Sequence, residues 1–167
     1  EQYLTLQQQL KPLLAQQPAQ QLGLCFHSLR AVTPEQLHDV LRASDTACPV
    51  HIHIAEQQKE VDDCLSWSGR RPLQWLYENT PVDNRWCLVH ATHAEPDEVA
   101  LMANSGAVAG LCLTTEANLG DGIFPAVDYI AQGGRWGIGT DRQVSESDAH
   151  DLPSLVCAHR VRDQRRN

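Results

Sequence analysis

The sequence predicts an α/β fold built on a parallel sheet, and three observations carry that prediction. Short apolar runs alternate with longer segments of helical spacing along the 167 residues. The runs are apolar almost throughout, as strands are when both faces of a sheet are covered. They also stop at residues able to bind a metal or move a proton: His51-Ile-His53-Ile-Ala-Glu56, Val89-His90 and Gly139-Thr140-Asp141. Endings of that kind suggest strands whose C-terminal ends share one site.

Taken in order, residues 3–17 place Leu4, Leu6, Leu10, Leu13 and Leu14 at helical spacing. Residues 22–26 are the first strand-like run and lead into His27-Ser28-Leu29-Arg30. Thr33-Pro34-Glu35 is a helix start, with Thr as cap and Pro in the first turn, and that helix should reach residue 42. Residues 49–54 read as a buried strand, and 57–78 as helix interrupted between Gly69 and Pro72. Residues 86–90 are the next strand and 95–103 the next helix. Residues 107–113 are strand-like and precede a Gly/Asn turn region at 118–122. Residues 123–132 are helical, and 136–139 form the last strand.

Alternating strand and helix units give a parallel sheet, either doubly wound or part of a (β/α)8 barrel. Polar groups gathered at strand C-termini fit both. Neither GxGxxG nor GxxxxGK[ST] occurs, which removes the two common nucleotide-binding readings of an open sheet. The barrel is therefore expected. A whole barrel needs about 250 residues, and 167 residues fall well short of one. The chain starts at Glu1 inside a helix-like segment, as a piece of something longer would.

The net charge of −8 argues against nucleic acid and anionic membranes as partners, since both select basic surfaces. No apolar stretch approaches the roughly 18 residues of a membrane span, and the first twenty residues are Gln-rich and polar, unlike a signal peptide. The six cysteines include no CxxC pair, and Cys25, Cys48, Cys87 and Cys112 sit in or beside apolar runs. Reduced, buried thiols in a cytoplasmic protein are expected. The expected partner is a small molecule, and a homodimer is left open as the assembly.

His51 and His53, two apart in a strand, face the same side. His53 is nearer the C-terminal end, and His51 is read as a deeper, hydrogen-bonded core histidine. Glu56 stands where the strand gives way to a loop, in position to take a proton from an activated water and deliver it to a leaving group. His90 ends a strand and should point into the site, leaving His93 at its margin. Asp141 closes a tight strand end. A His and an Asp fit a zinc site, although catalytic zinc takes three protein ligands and an open position. Arg30 could fork onto a substrate carboxylate; Arg142 could do the same or pair with Asp141.

At these residues the chain resembles the amidohydrolase superfamily of metal-dependent (β/α)8 barrels. The segments His51-Ile-His53-Ile-Ala-Glu56-Gln57, Leu88-Val-His90-Ala-Thr-His93, 114–125 (Thr-Thr-Glu-Ala-Asn-Leu-Gly-Asp-Gly-Ile-Phe-Pro) and Gly137-Ile-Gly-Thr-Asp141 are most similar to its formimidoylglutamate deiminase family. The resemblance implies that His53 ligates a single Zn2+ and that Asp141 completes the site and helps deprotonate the water. It gives Glu56 the proton shuttle to departing ammonia, His90 the stabilisation of the attacking hydroxide and the tetrahedral intermediate, and Arg30 a substrate carboxylate. The implied reaction is hydrolysis of N-formimino-L-glutamate to N-formyl-L-glutamate and ammonia, a step of histidine degradation. The alternatives are a superfamily deaminase acting on a ring such as guanine or cytosine, and an inactive fragment. The family's first-strand HxH metal pair would lie upstream of Glu1, so the resemblance implies that residues 1–167 are the C-terminal part of a barrel, roughly strands four to eight with their helices. Leu113 stands where the pattern has Pro and Arg142 where it has Ser. The similarity lapses over 147–160 and returns at 161–167, as a local shift of reading frame would produce.

Overall fold

Five strands lie side by side in chain order and all parallel: β1 (Leu24–Phe26), β2 (Val50–Ile54), β3 (Trp86–His90), β4 (Val108–Leu111) and β5 (Arg135–Ile138). The computed structural model describes residues 2–17, 19–141 and 148–166, side chains at 148–150 excepted. Arg142 lies outside the described residues. A doubly wound sheet reverses its strand order at a switch point, whereas a barrel adds each strand next to the last. The order β1-β2-β3-β4-β5 is that of a barrel wall.

The helices are α1 (Gln2–Leu14), α2 (Pro34–Ala43), α3 (Gln58–Ser68), α4 (Pro72–Asn79), α5 (Pro96–Ser105), α6 (Leu113–Leu119), α7 (Ala126–Ala131) and α8 (Asp148–Asp163). Thr33 caps α2 reciprocally: its hydroxyl accepts the Gln36 N–H, and the Gln36 side chain accepts the Thr33 N–H. The predicted break between α3 and α4 is Gly69, whose φ of 70° ends α3 in the left-handed region, followed by Pro72 at the first turn of α4.

Alternation sorts each strand into two faces. Val50, Ile52 and Ile54 of β2, Trp86 and Leu88 of β3, and Ala109 and Leu111 of β4 are fully buried, with Leu37, Val61, Leu76 and Met102 of the helices in the same apolar cluster. The opposite face carries Cys25 and His51, both exposed, and Cys87, Val89, Val108 and Gly110, half-buried. His51 is therefore not the core histidine expected. Its strand face would line the interior of a closed barrel, and five strands leave that face open.

Two buried glutamates tie helices to loops. Glu98 of α5 accepts from Arg71 Nε at 3.0 Å and from the Glu95 N–H at 2.9 Å, while Arg71 Nη2 also donates to the His93 carbonyl. The start of α4 is thus fixed to α5 and to the loop after β3. Glu60 of α3 accepts the Glu56 N–H at 2.9 Å and lies 4.0 Å from Arg30 Nη2.

Several sequence expectations shift. The strand over 107–113 stops at Leu111, and Leu113–Leu119 forms α6, ending on Gly120 at φ 71°. The helix over 123–132 narrows to Ala126–Ala131 because Pro125 precedes it. Helix α8 was not anticipated and runs through most of residues 147–160, which the sequence reading set apart from the family pattern. It is nevertheless docked: Thr114 Oγ1 donates to Asp151 at 2.5 Å, and buried His159 accepts the Ala126 N–H through Nε2 at 3.2 Å.

All six cysteines are free thiols; Cys48, Cys64 and Cys112 are buried, and Cys25 and Cys157 are exposed. Burial, then the charge of Glu116, pushes the Cys112 thiol up to about 12. Since the thiolate is the nucleophile, iodoacetamide is expected to label Cys25 and Cys157 in the native chain and Cys112 only after unfolding. Peptide mass spectrometry with and without urea checks this, and native labelling of Cys112 would refute it. Burial also holds the Glu60 carboxyl above its ordinary value of 4.5, against the opposing Glu56 N–H and Arg30. A raised carboxyl favours folding in its protonated form, so its contribution is full below pH 4.5 and lost as pH rises through the folded value. Glu60→Gln is expected to flatten that decline. Urea midpoints measured upward from pH 4.5 decide the point, and an unchanged slope would overturn it.

Candidate active site

The candidate site sits at the C-terminal edge of the sheet, where the ends of β2, β3 and β5 meet. His53, next to last in β2, lies on the inner face. Its Nδ1 is 2.7 Å from the His27 carbonyl, which can only accept, so Nδ1 carries the hydrogen and Nε2 is left with its lone pair. That Nε2 lies 3.2 Å from Asp141 Oδ1.

His90 reaches the site by a different route. The parity of Trp86 and Leu88 would send it towards the helices. Instead His90 adopts φ 68° and Ala91 φ 48°, and the imidazole turns into the site with 0% exposure. Ala55 at φ 49° and Asp141 at φ 56° place left-handed residues at the ends of β2 and β5 as well. Such conformations cost side-chain-bearing residues about 1–2 kcal/mol each, and they concentrate where geometry is fixed for function.

The His90 ring is surrounded by carboxylates. Nδ1 is 3.2 Å from Glu116 Oε1, and Nε2 is 3.7 Å from Glu56 Oε1 and 3.9 Å from Asp141 Oδ2. Burial opposes its charged form, but the Glu116 hydrogen bond and the charges of Glu56, Glu116 and Asp141 outweigh burial and hold its pKa above the usual histidine value. The His27 and His53 rings, and the His53 and His90 rings, are each 5.5 Å apart between centroids.

Glu56 and Arg30 complete the mouth. Arg30 Nη2 is 3.6 Å from Glu56 Oε2, and its side chain is 40% exposed against 14% for Glu56. Arg30 thus stands between solvent and the carboxylates, its charge already engaged. His93 is half-buried beyond this group, beside Gly122.

Among the described residues, His53, His90 and Asp141 offer ligand atoms within 4.8 Å of one another. The donor set suits zinc on two counts. Tetrahedral zinc bound at about 2.0–2.2 Å holds neighbouring nitrogen and oxygen ligands about 3.3 Å apart, close to the 3.2 Å between His53 Nε2 and Asp141 Oδ1. The His27 carbonyl also fixes the tautomer that points a lone pair from Nε2, the usual outer support of a metal-binding histidine.

The structure therefore brings His53, Glu56, His90, Asp141 and Arg30 to one place. Sequence reasoning passed over four neighbours: His27, Glu60, Thr115 and Glu116. Thr115 Oγ1 donates to the Thr140 carbonyl at 2.8 Å, beside Asp141. Both Thr115 and Glu116 belong to α6, whose seven residues, about two turns, are too few for periodicity to reveal. The signal that was present is the absence of any breaker between Leu113 and Gly120.

Comparison with known proteins agrees with this geometry. Residues 1–163 match the Amidohydrolase family. The chain is 68% identical, over its full length, to a formimidoylglutamate deiminase of Pseudomonas aeruginosa, of which it spans 37%. It is 32% identical to a 5-methylthioadenosine/S-adenosylhomocysteine deaminase of Natronomonas pharaonis, covering 75% of this chain and 30% of the relative. The crystal structure of an amidohydrolase from Brucella melitensis superposes with a TM-score of 0.94 at 45% identity, over 98% of this chain and 36% of that one. An adenosine deaminase of Xanthomonas campestris with bound zinc shares the fold, with a TM-score of 0.87 at 24% identity over 97% of this chain and 38% of that one. With these relatives beside a site of strand-end histidines and carboxylates on a parallel sheet, the chain belongs to the Amidohydrolase family.

Proposed function

We propose that this chain supplies strands four to eight of a zinc-dependent barrel that hydrolyses N-formimino-L-glutamate to N-formyl-L-glutamate and ammonia. The observation that carries the reaction class is the convergence of His53, Glu56, His90 and Asp141 at one sheet edge. The substrate follows from the 68% identity to the Pseudomonas deiminase and is in keeping with Arg30. An intracellular, cytoplasmic setting suits the free thiols; among the described residues no helix is long and apolar enough to cross a membrane.

In this reading His53 and Asp141 hold one Zn2+ together with residues of the preceding strands. When bound, the ion supplies Lewis acidity and a lowered pKa for the attacking water. The chain's own groups do the rest. Glu56, 3.7 Å from His90, receives the proton released by the water and returns it to the leaving nitrogen. His90 Nε2, which has no hydrogen-bond partner among the described residues, faces the same space and steadies the attacking water by accepting a hydrogen bond from it. Arg30 releases Glu56 and takes a substrate carboxylate, so that an anionic substrate frees the carboxylate that must move the proton. A ring deaminase substrate would leave Arg30 without an anion to bind.

The test joins the preceding part of the Pseudomonas relative to this chain, loads the chimaera with zinc and measures ammonia release. Turnover of N-formimino-L-glutamate is expected, with guanine and cytosine inert. Turnover of a ring base in place of the formimino acid would refute the substrate. The isolated chain, whose sequence contains a single HxH, is expected to hold zinc weakly and to be inactive. In the chimaera, His53→Ala and Asp141→Asn are each expected to abolish turnover and to lower the zinc content measured by atomic absorption. Retained turnover in either would remove the role given to that residue.

A further inference from the structure

Glu116 is a buried carboxylate at the site that the reaction above leaves without a task. It is 2% exposed and sits on α6, whose first residue follows directly on the end of β4 and Cys112. One oxygen, Oε1, accepts the Cys112 N–H at 3.0 Å and lies 3.2 Å from His90 Nδ1. The backbone donor fixes where Oε1 points, and an oxygen already accepting from one N–H is placed to accept from another. His90 has no second anchor of this kind. Its left-handed backbone brings the ring inward, and its Nε2 makes no hydrogen bond among the described residues.

We infer that Glu116 is a positioning residue for His90: it accepts the hydrogen of Nδ1, fixes the ring plane, and leaves the Nε2 lone pair facing the reacting water. Glu116 itself touches no substrate. The adjacent residue adds to the arrangement, because Thr115 Oγ1 holds the Thr140 carbonyl at 2.8 Å. One turn of α6 thereby sets both His90 and the strand end that carries Asp141. The inference rests on the reading of His90 as a site residue, but it concerns the orientation of the ring and not the identity of the substrate.

Two independent measurements test it. In the 167-residue chain, long-range nitrogen–proton NMR correlations of the His90 ring, recorded where it is neutral, are expected to show hydrogen on Nδ1. Glu116→Ala should release that preference, and Glu116→Gln should keep it, since its amide oxygen can take the place of Oε1 against the Cys112 N–H. In the chimaera, Glu116→Ala is expected to lower kcat about 10–100-fold, the range for losing an outer-shell partner, with KM little changed, and Glu116→Gln to recover most of the loss. Hydrogen on Nε2 of the wild-type ring, or an alanine variant with unaltered tautomer and kcat, would overturn the inference. If Glu116→Ala does not fold, the wild-type tautomer and the glutamine variant decide: Nε2–H in the first, or a tautomer exchanged in the second, refutes it. A chimaera inert towards N-formimino-L-glutamate whose His90 still carries hydrogen on Nδ1 would overturn the substrate and leave the positioning role standing.

Discussion

Because β1 to β5 run in one direction and sit in chain order, the C-terminal end of every strand reaches the same edge of the sheet. His53 and Asp141, 88 residues apart in sequence, come within 3.2 Å of each other through that constraint alone. The register does the finer placement: His53 pairs with Val89 and Ile54 with His90, so the two histidines stand on adjacent strands one step apart. Shifting β2 by one residue would turn His53 towards the helices and put Ile52 or Ile54 in its place. The buried alternation of Val50, Ile52 and Ile54 against the helix layer makes such a slip costly. Apolar packing on one face thus fixes the chemistry on the other.

The site is also an electrostatic compromise. Glu56, Glu116 and Asp141 crowd one imidazole, with Arg30 the cation at their rim. A cluster of carboxylates this close is unfavourable unless positive charge compensates it. Among the described residues Arg30 provides part of that compensation, and a divalent cation at His53 and Asp141 would provide more. Among the described residues the other charged groups at the mouth, Glu56, Glu116 and Asp141, are carboxylates.

Most of the wall was legible in the sequence because its signals are local and strong. Thr33-Pro34 announces α2, Gly69 and Pro72 mark the gap between α3 and α4, and β3 occupies the residues its apolar run predicts. Strand-end polarity pointed to His53, Glu56, His90 and Asp141. Three things were not legible, each for a physical reason. Helix α6 is too short to express a period. The inward turn of His90 depends on a left-handed backbone that alternation does not predict; strict parity would have sent the side chain outwards. The exposure of His51 depends on how many strands surround its face, a tertiary property with no local trace.

The left-handed residues at the strand ends bear on how the site meets its substrate. Ala55, His90, Ala91 and Asp141 each hold a shape that a free chain would leave at once. They keep it because the paired strands and buried helices behind them leave no alternative. Backbone held that way is in place before any ligand arrives, and a ligand cannot improve it by folding it into place. At this edge the backbone is a rigid template, and the exposed Arg30 side chain at the rim is a group able to adjust against it.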